Sequence, residues 1–413
     1  MRKIKILTEF CRFILSATFI FSGTVKDIDP VGGALKLDDY FKAFGLSSLE
    51  PIALFGSINL SSLEFVLGVC ILAGVYRRIT TWVMLLFMSF MTLLTLYLAI
   101  YNPVHDCGCF GDALIITNWQ TFFKNALVLL PASVAVFKWY KNMTPLYSHH
   151  SYWFVALFAY IFSLGFSYWN YYNLPITDFR PYKIGSSIPQ NMSIPPDAPQ
   201  DVMEYIYTSK DGKERAFSIS ELAEVDSTWT YKDAKLIKKG YTPPILSFEL
   251  YDNQGNNIAD KLLAEGETVF LLVSPYLNKA SDRNIDEIID VYEYSKEHNI
   301  DFYCVTSSSE DIVSEWVNNT GAEYPFLTAD DVTLKTMIRS NPGLLLLRSG
   351  VVIAKWHYRH IPSDETVSAV TERLLHPSES EAPAKKSPWI WVILSFVVPL
   401  LLVWIYDYKF LRK

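Results

Sequence analysis

The stretch Asn102–Asn118 reads NPVHDCGCFGDALIITN, with two cysteines one glycine apart between two strongly apolar runs, Ile79–Tyr101 and Trp119–Tyr140. Runs of that length suffice to cross a hydrocarbon core of roughly 30 Å, so the stretch reads as a loop between two membrane spans. The side it faces controls the chemistry open to Cys107 and Cys109, because thiol–disulfide exchange belongs to an oxidising compartment.

Working outward, further apolar runs lie at about Ile6–Val25, Pro51–Ala73, Tyr152–Tyr172 and Trp389–Tyr406, the last bracketed by aromatic residues as interfacial belts are. The basic flanks are Arg2, Lys3 and Lys5, Arg77-Arg78, Lys138 and Lys141, and Lys409, Arg412 and Lys413. Six spans starting inside put every one of these flanks on the cytoplasmic side, as the positive-inside rule asks. The acidic loop Lys26–Glu50, the cysteine loop and the long segment from about Asn173 to Pro388 then face outward. The expected location is a bacterial inner membrane, with a large periplasmic segment. Glu9 and Arg12 interrupt the first run and no small-residue cleavage site follows Phe21-Ser22-Gly23, which disfavours a removable leader. Those two charges lie three apart on one helix face and are expected to pair.

Half of the 413 residues are apolar, and the net charge is −7 with no basic stripe, so nucleic-acid binding is not expected. Five cysteines in this length do not make a disulfide scaffold. There is no nucleophile motif, HExxH or phosphate-cradling glycine loop to support a hydrolase.

The outer segment reads as a folded domain. Glu204–Ser209 and Arg215–Ile219 form an expected hairpin about Lys210-Asp211-Gly212-Lys213, and Ile245–Tyr251 alternates like a strand. From Thr268 strands and helices alternate: strand Val269–Val273, helix Ile285–Glu297, strand Phe302–Thr306, helix Glu310–Asn319, strand Pro325–Leu327, helix Val332–Arg339. Strand Leu344–Leu347, the Ser349-Gly350 turn and strand Val351–His357 follow. This order implies an α/β layer with a parallel start and an antiparallel hairpin finish. The polar tether 376–388, HPSESEAPAKKSP, leads to the last span.

Over about Glu249–Leu375 the chain resembles thioredoxin-like proteins, most specifically in Pro342-Gly343-Leu344-Leu345-Leu346-Leu347 before the Ser349-Gly350 turn. The resemblance implies that Pro342 is cis and backs the loop that carries the family's dithiol. That loop here is Ser274–Ala280, SPYLNKA, which has no cysteine. Cys304, within an apolar strand, reads as a small buried hydrophobe, so this domain is expected to be redox-inactive by itself.

The first four spans resemble the DoxX/MauE group of small four-helix membrane proteins. The resemblance rests on Phe21-Ser22-Gly23 with Lys26, Glu64 with Leu67-Gly68, Gly74 with Arg77, and Asp106-Cys107-Gly108-Cys109-Phe110-Gly111-Asp112. It implies membrane-linked redox chemistry or maturation of disulfide-containing partners. The expected architecture is a multi-domain membrane protein. It has a four-helix transmembrane bundle (1–145), a fifth helix (152–172), a β-rich part (173–248), an α/β thioredoxin-like domain (249–375), a linker (376–388) and a C-terminal transmembrane helix (389–406).

A Cys-Gly-Cys disulfide closes a very small ring, so it should be strained and easily reduced, which suits transfer better than stapling. Lys124 could lower a cysteine pKa if the loop folds back over its helix end. Structural pairing and packing are alternatives. His105, Asp106, Cys107, Cys109 and Asp112 also offer metal-ligand types, but they alternate too closely for one tetrahedral site, so no metal is expected. Glu64, near the middle of its span, must face the bundle and be protonated or paired, and Lys124 is a partner only if the depths match. Cys11 and Cys70 read as packing residues. A quinone between the helices is a reasonable electron acceptor, although no residue pattern specifies it. Two readings compete: a thiol–disulfide oxidoreductase acting on a thiol-containing periplasmic or membrane protein, and a non-enzymatic scaffold or assembly factor embedded in the bilayer.

Overall fold

The computed structural model describes residues 2–104, 106–375 and 387–411. His105 and nearly all of the expected tether 376–388 lie outside them.

Among the described residues, five helices are long and apolar enough to cross a membrane: Ser47–Ala73, Arg77–Tyr101, Asn118–Lys138, His149–Tyr172 and Trp389–Phe410. Within them run α3 (Ala53–Ala73), α4 (Arg77–Tyr101), α5 (Asn118–Lys124) continuing into α6 (Leu130–Lys138), α7 (Tyr152–Tyr172) and, last in the chain, the helix Trp389–Tyr406. The chain begins with α1 (Arg2–Ile28), whose 27 residues extend about 40 Å at the usual rise. α1 runs antiparallel to α3. Arg12 donates to the carbonyls of Ile71 (2.9 Å) and Leu72, while Ser57 near the start of α3 donates to the Pro30 carbonyl (3.0 Å).

The axes approach closely where glycines allow it. A Cβ on Gly23 would sit 2.6 Å from the Phe65 nitrogen, and one on Gly68 would sit 2.7 Å from the Ile20 nitrogen. Small residues at a crossing are what bring membrane helices together, since lipid supplies no hydrophobic drive. Two of the positions that carry the DoxX/MauE resemblance are thus contact points of the α1–α3 pair. Arg12 also pairs with Glu9 (2.8 Å), as expected from their spacing, and its guanidinium caps the C-terminal carbonyls of α3.

α5 and α6 form one helix through a π-turn, Asn125–Leu129. Pro131 has no N–H to return to the Leu127 carbonyl, which accounts for the widened turn. The C-terminal helix lies on the outside of the bundle with none of its residues buried. Its Phe396 packs on Phe65 and Phe162, and Asp407 accepts from Ser148 N and Ser151 Oγ (2.6 Å each).

The acidic segment 26–50 contains a helix where only a loop was expected: α2 (Pro30–Ala43). Asp29 caps it by accepting from Gly32 N, and Pro30 occupies its first turn, the usual start signal. α2 lies at the same end of the bundle as the cysteine loop.

Among the described residues, the segment 173–375 holds two sheets. Strands β1 (Val202–Ser209), β2 (Glu214–Ser218) and β3 (Trp229–Lys238) form an antiparallel sheet in the order β2-β1-β3. β3 was not anticipated, and Ile245–Tyr251 is not a strand: only Tyr251 bridges, to Asn257 and Thr328. Ile245, Phe248 and Leu250 instead point into the core beneath the second sheet. That sheet has the order β6-β5-β4-β7-β8, from β4 (Thr268–Ser274), β5 (Asp301–Thr306), β6 (Phe326–Thr328), β7 (Gly343–Arg348) and β8 (Val351–His357). β4, β5 and β6 are mutually parallel, and β7 and β8 run antiparallel. The helices Ile285–Glu297 and Asp364–Leu375 cover one face, and Asp331–Met337 covers the other. This is the thioredoxin-like arrangement, and Asn341-Pro342 is cis. Buried Cys304 lies within β5.

Candidate functional site

The cysteine loop is pinned at its base and by its aspartates. Asn118 Nδ2 donates to Asn102 Oδ1 and to the Val104 carbonyl (2.9 Å each), joining the ends of α4 and α5. Asp106 accepts from Gly108 N (2.8 Å) and pairs with Lys36 of α2 (3.0 Å). Gly108 takes φ +65, and a Cβ there would press on the Lys36 side chain at 2.7 Å, so glycine is required on both counts. Tyr40 Oη donates to the Cys107 carbonyl (3.0 Å).

The turn brings the two sulfurs within hydrogen-bonding reach of each other. Cys107 is 7% exposed and Cys109 half-buried, and both are free thiols. The Cys107 thiol donates to the Cys109 sulfur, and the ammonium groups of Lys124 and Lys26 add to that effect. Together they bring Cys109 down to about 7 against its burial. The same shared hydrogen bond, with burial, pushes Cys107 well up. The pair is therefore asymmetric, with one sulfur about half ionised near neutral pH and the other holding its proton. Lys124 sits over the Phe110 ring, 4.2 Å from its centroid, so the loop does fold back over the helix end.

Glu64 is paired, but not with Lys124. Lys26 Nζ lies 2.7 and 2.9 Å from its two carboxylate oxygens, with side-chain exposures of 13% and 4%. Ser22 Oγ lies 2.7 Å from Glu64 Oε2 and 2.6 Å from the Cys109 carbonyl, with one proton to donate between them. Ser22 and Lys26 lie four residues apart and so share one face of α1. Lys26, Ser22, Tyr40 and Lys36 were not singled out as site residues. The signal available was the i,i+4 pair facing an acidic span residue.

Beside the thiols is a cavity of about 330 Å³ between α1, α2, α3, α4 and the loop. Lys26, Glu64, Asp106, Cys107 and Cys109 line one side, and Tyr40, Phe41, Phe90 and Leu94 line the apolar remainder. Asp29 and Asp112 stand at its edge, and both pair with Arg339 of the thioredoxin-like domain (2.9 and 3.1 Å). Lys279, in the cysteine-free loop after β4, pairs with Glu50 (2.8 Å). Pro342 lies three residues past Arg339, so the face of the domain that holds this loop and the cis-proline rests on the mouth of the bundle. Cys11 and Cys70 pack in the bundle core, away from this cluster. Among the described residues no three of His, Cys, Asp and Glu converge on a common point.

Residues 4–138 match the family model described as methylamine utilisation protein MauE. The MauE-like region thus covers α1 to α6 and includes the cysteine loop and the Lys26–Glu64 pair. A second model, described only as a domain of unknown function, matches residues 202–239, which make up the three-stranded sheet. Solved structures similar to this chain include a thiol:disulfide interchange protein from Bacteroides sp., 16% identical, covering 33% of this chain and 91% of that one at TM-score 0.26. Another is a protein assigned as a thioredoxin from Neisseria meningitidis, 15% identical, covering 32% of this chain and 91% of that one at TM-score 0.27. No curated protein matches the chain.

Proposed function

We propose that this multi-pass protein exchanges disulfides through Cys107 and Cys109. The observation that carries the reading is the placing of two free thiols one glycine apart on the wall of one cavity, beside the Lys26–Glu64 pair and near Lys124. Cys109 is the nucleophile and Cys107 supplies the second thiol. Asp106 and Asp112 shape the loop, Glu64 fixes Lys26, and Pro342 backs the domain loop that rests on the module.

The topology that goes with this reading has six spans. Because α1 runs antiparallel along α3, it crosses whatever layer α3 crosses. The basic flanks at Arg2, Arg77-Arg78, Lys138 and Lys409 then gather at one end, which the positive-inside rule puts in the cytoplasm of an inner membrane. The cysteine loop and the thioredoxin-like domain share the opposite, periplasmic side. The working division is 1–145 for the bundle, 173–248 and 249–375 for the outer domains, and 389–406 for the anchor. The partner is a thiol-bearing periplasmic or membrane protein, recognised by the cysteine-free domain.

The competing reading is a scaffold, favoured by the ion-paired seating of a domain without a dithiol on the bundle. Mass-tag trapping of Cys107 and Cys109 in intact cells, with Cys11, Cys70 and Cys304 replaced, separates the two. A redox state that shifts with mild reductant, or a trapped mixed disulfide, supports exchange. A pair that never changes state leaves the scaffold.

A further inference from the structure

A dithiol that passes on a disulfide must be reoxidised by something that accepts two electrons. The cavity of about 330 Å³ beside the thiols sits at the low end of the range for small-ligand sites, ~300–1,000 Å³, which suits a ring and the first carbons of a tail better than a dinucleotide. Its chemistry is divided in the same sense. Phe41, Phe90, Leu60 and Leu94 offer apolar surface, while the Lys26 ammonium, a donor, stands on the side of the thiols. Among the described residues Glu64 takes two of the three Lys26 donors. The cavity also opens sideways: Phe90 both lines it and stands 64% exposed on the outer surface of α4, the surface lipid covers. A ligand reaching it from that side is soluble in hydrocarbon.

We infer that this cavity takes the head group of a membrane-soluble quinone, which oxidises the Cys107–Cys109 dithiol. The inference rests on the exchange reading above. In the step, the two thiols lose two electrons and two protons and one S–S bond forms. The quinone takes both electrons and both protons, its two carbonyls becoming the hydroxyls of the hydroquinone. A partner dithiol then reduces the disulfide and restores both cysteines. The aromatic and aliphatic walls hold the ring by stacking and burial, and the remaining N–H of the Lys26 ammonium addresses a carbonyl oxygen.

The test uses the reduced full-length protein in phospholipid nanodiscs without oxygen, with Cys11, Cys70 and Cys304 replaced and decylubiquinone as the probe. Loss of quinone absorbance and mass-tagging of the remaining thiols are followed together. We expect one quinone consumed per cysteine pair, and a rate at least tenfold lower in Leu94→Trp and in Leu60→Trp, which fill the cavity from α4 and α3. Oxidised glutathione should oxidise the parent and both variants at equal rates. A redox-inert tetramethoxybenzene carrying the same decyl tail should slow the parent, which tests occupancy without any substitution. Oxidation by glutathione but not by quinone would overturn the cavity assignment and leave the exchange reading standing. Equal quinone rates in parent and variants, or no competition by the inert analogue, would also overturn it. A pair that neither reagent oxidises would remove the exchange reading and this inference with it.

Discussion

Replacing Arg339 by alanine should uncover the cysteine loop, because that side chain is the best-buried charged contact holding the thioredoxin-like domain to the bundle mouth. Its side chain is 8% exposed against 13% for Asp29, at 2.9 Å. Breaking a fully buried pair from one side costs ~3–5 kcal/mol, since the remaining charge is left without a counterion. Asp29 keeps its role as the α2 cap and both groups touch solvent, so ~2–3 kcal/mol is the reasonable figure here. Asp112, at 40% exposure, and the exposed Lys279–Glu50 pair each add well under ~1 kcal/mol. A loss of ~2–3 kcal/mol shifts the docking equilibrium ~30- to 150-fold. When opening is fast relative to labelling, the labelling rate follows the open population. In right-side-out vesicles a membrane-impermeant maleimide should therefore label Cys107 and Cys109 about thirtyfold faster or more in Arg339→Ala, and only slightly faster in Lys279→Ala. Labelling unchanged within about twofold, in a variant of normal abundance, would mean that the domain does not control access to the thiols.

Three further outcomes are expected. In the Cys11, Cys70 and Cys304 replacement carrying Arg339→Ala, alkylation of Cys109 should rise with pH through a midpoint near 7, because only the thiolate reacts. Cys107→Ala should move that midpoint up further than Lys124→Met, since the shared hydrogen bond outweighs the lysine; the reverse order would contradict the assignment of causes. Glu64→Leu strands the Lys26 ammonium in the bundle and should cost ~3–5 kcal/mol, read as a lowered melting temperature in detergent, with Lys26→Met added to Glu64→Leu recovering most of it. Gly68→Leu should force α1 and α3 apart and reduce folded yield far more than Gly165→Leu, whose position has nothing within 4 Å of an added Cβ.

The spans were legible because a run of apolar residues long enough to cross a bilayer has few other stable fates, and Tyr152–Tyr172 and Trp389–Tyr406 begin and end where the sequence placed them. The five-stranded sheet was legible for a similar reason. Its central strands β4 and β7 are buried on both faces and flanked by helices, so Val269–Val273 and Leu344–Leu347 stand out as uninterrupted apolar runs. β3 was not, because its residues are exposed or half-buried and WTYKDAKLIK offers no apolar face to detect. Ile245–Tyr251 failed in the opposite way: it alternates, but its apolar residues bury beneath a sheet they never join. The cysteines of the candidate site were visible in one line of sequence, whereas their partners come from α1, α2 and a domain some 230 residues away in the chain. Such partners become visible only when the helices pack.

The omission of α2 matters most, because one short helix takes part in three separate jobs. Lys36 holds Asp106 and so sets the turn that brings the thiols together. Tyr40 and Phe41 close the cavity beside them. Asp29, the cap that starts the helix, receives the guanidinium of Arg339. Any movement of α2 is therefore felt at the loop, the cavity and the domain contact together. A helix of 14 residues is marginal by itself in water, so its order depends on these contacts. Withdrawal of Arg339 would loosen the N-terminal turn of α2 first, where Asp29 sits, and the cavity wall and the cysteine turn follow from the same segment. Opening of the domain and exposure of the thiols are then one coupled event, because a single helix carries the residues that hold each of them in place.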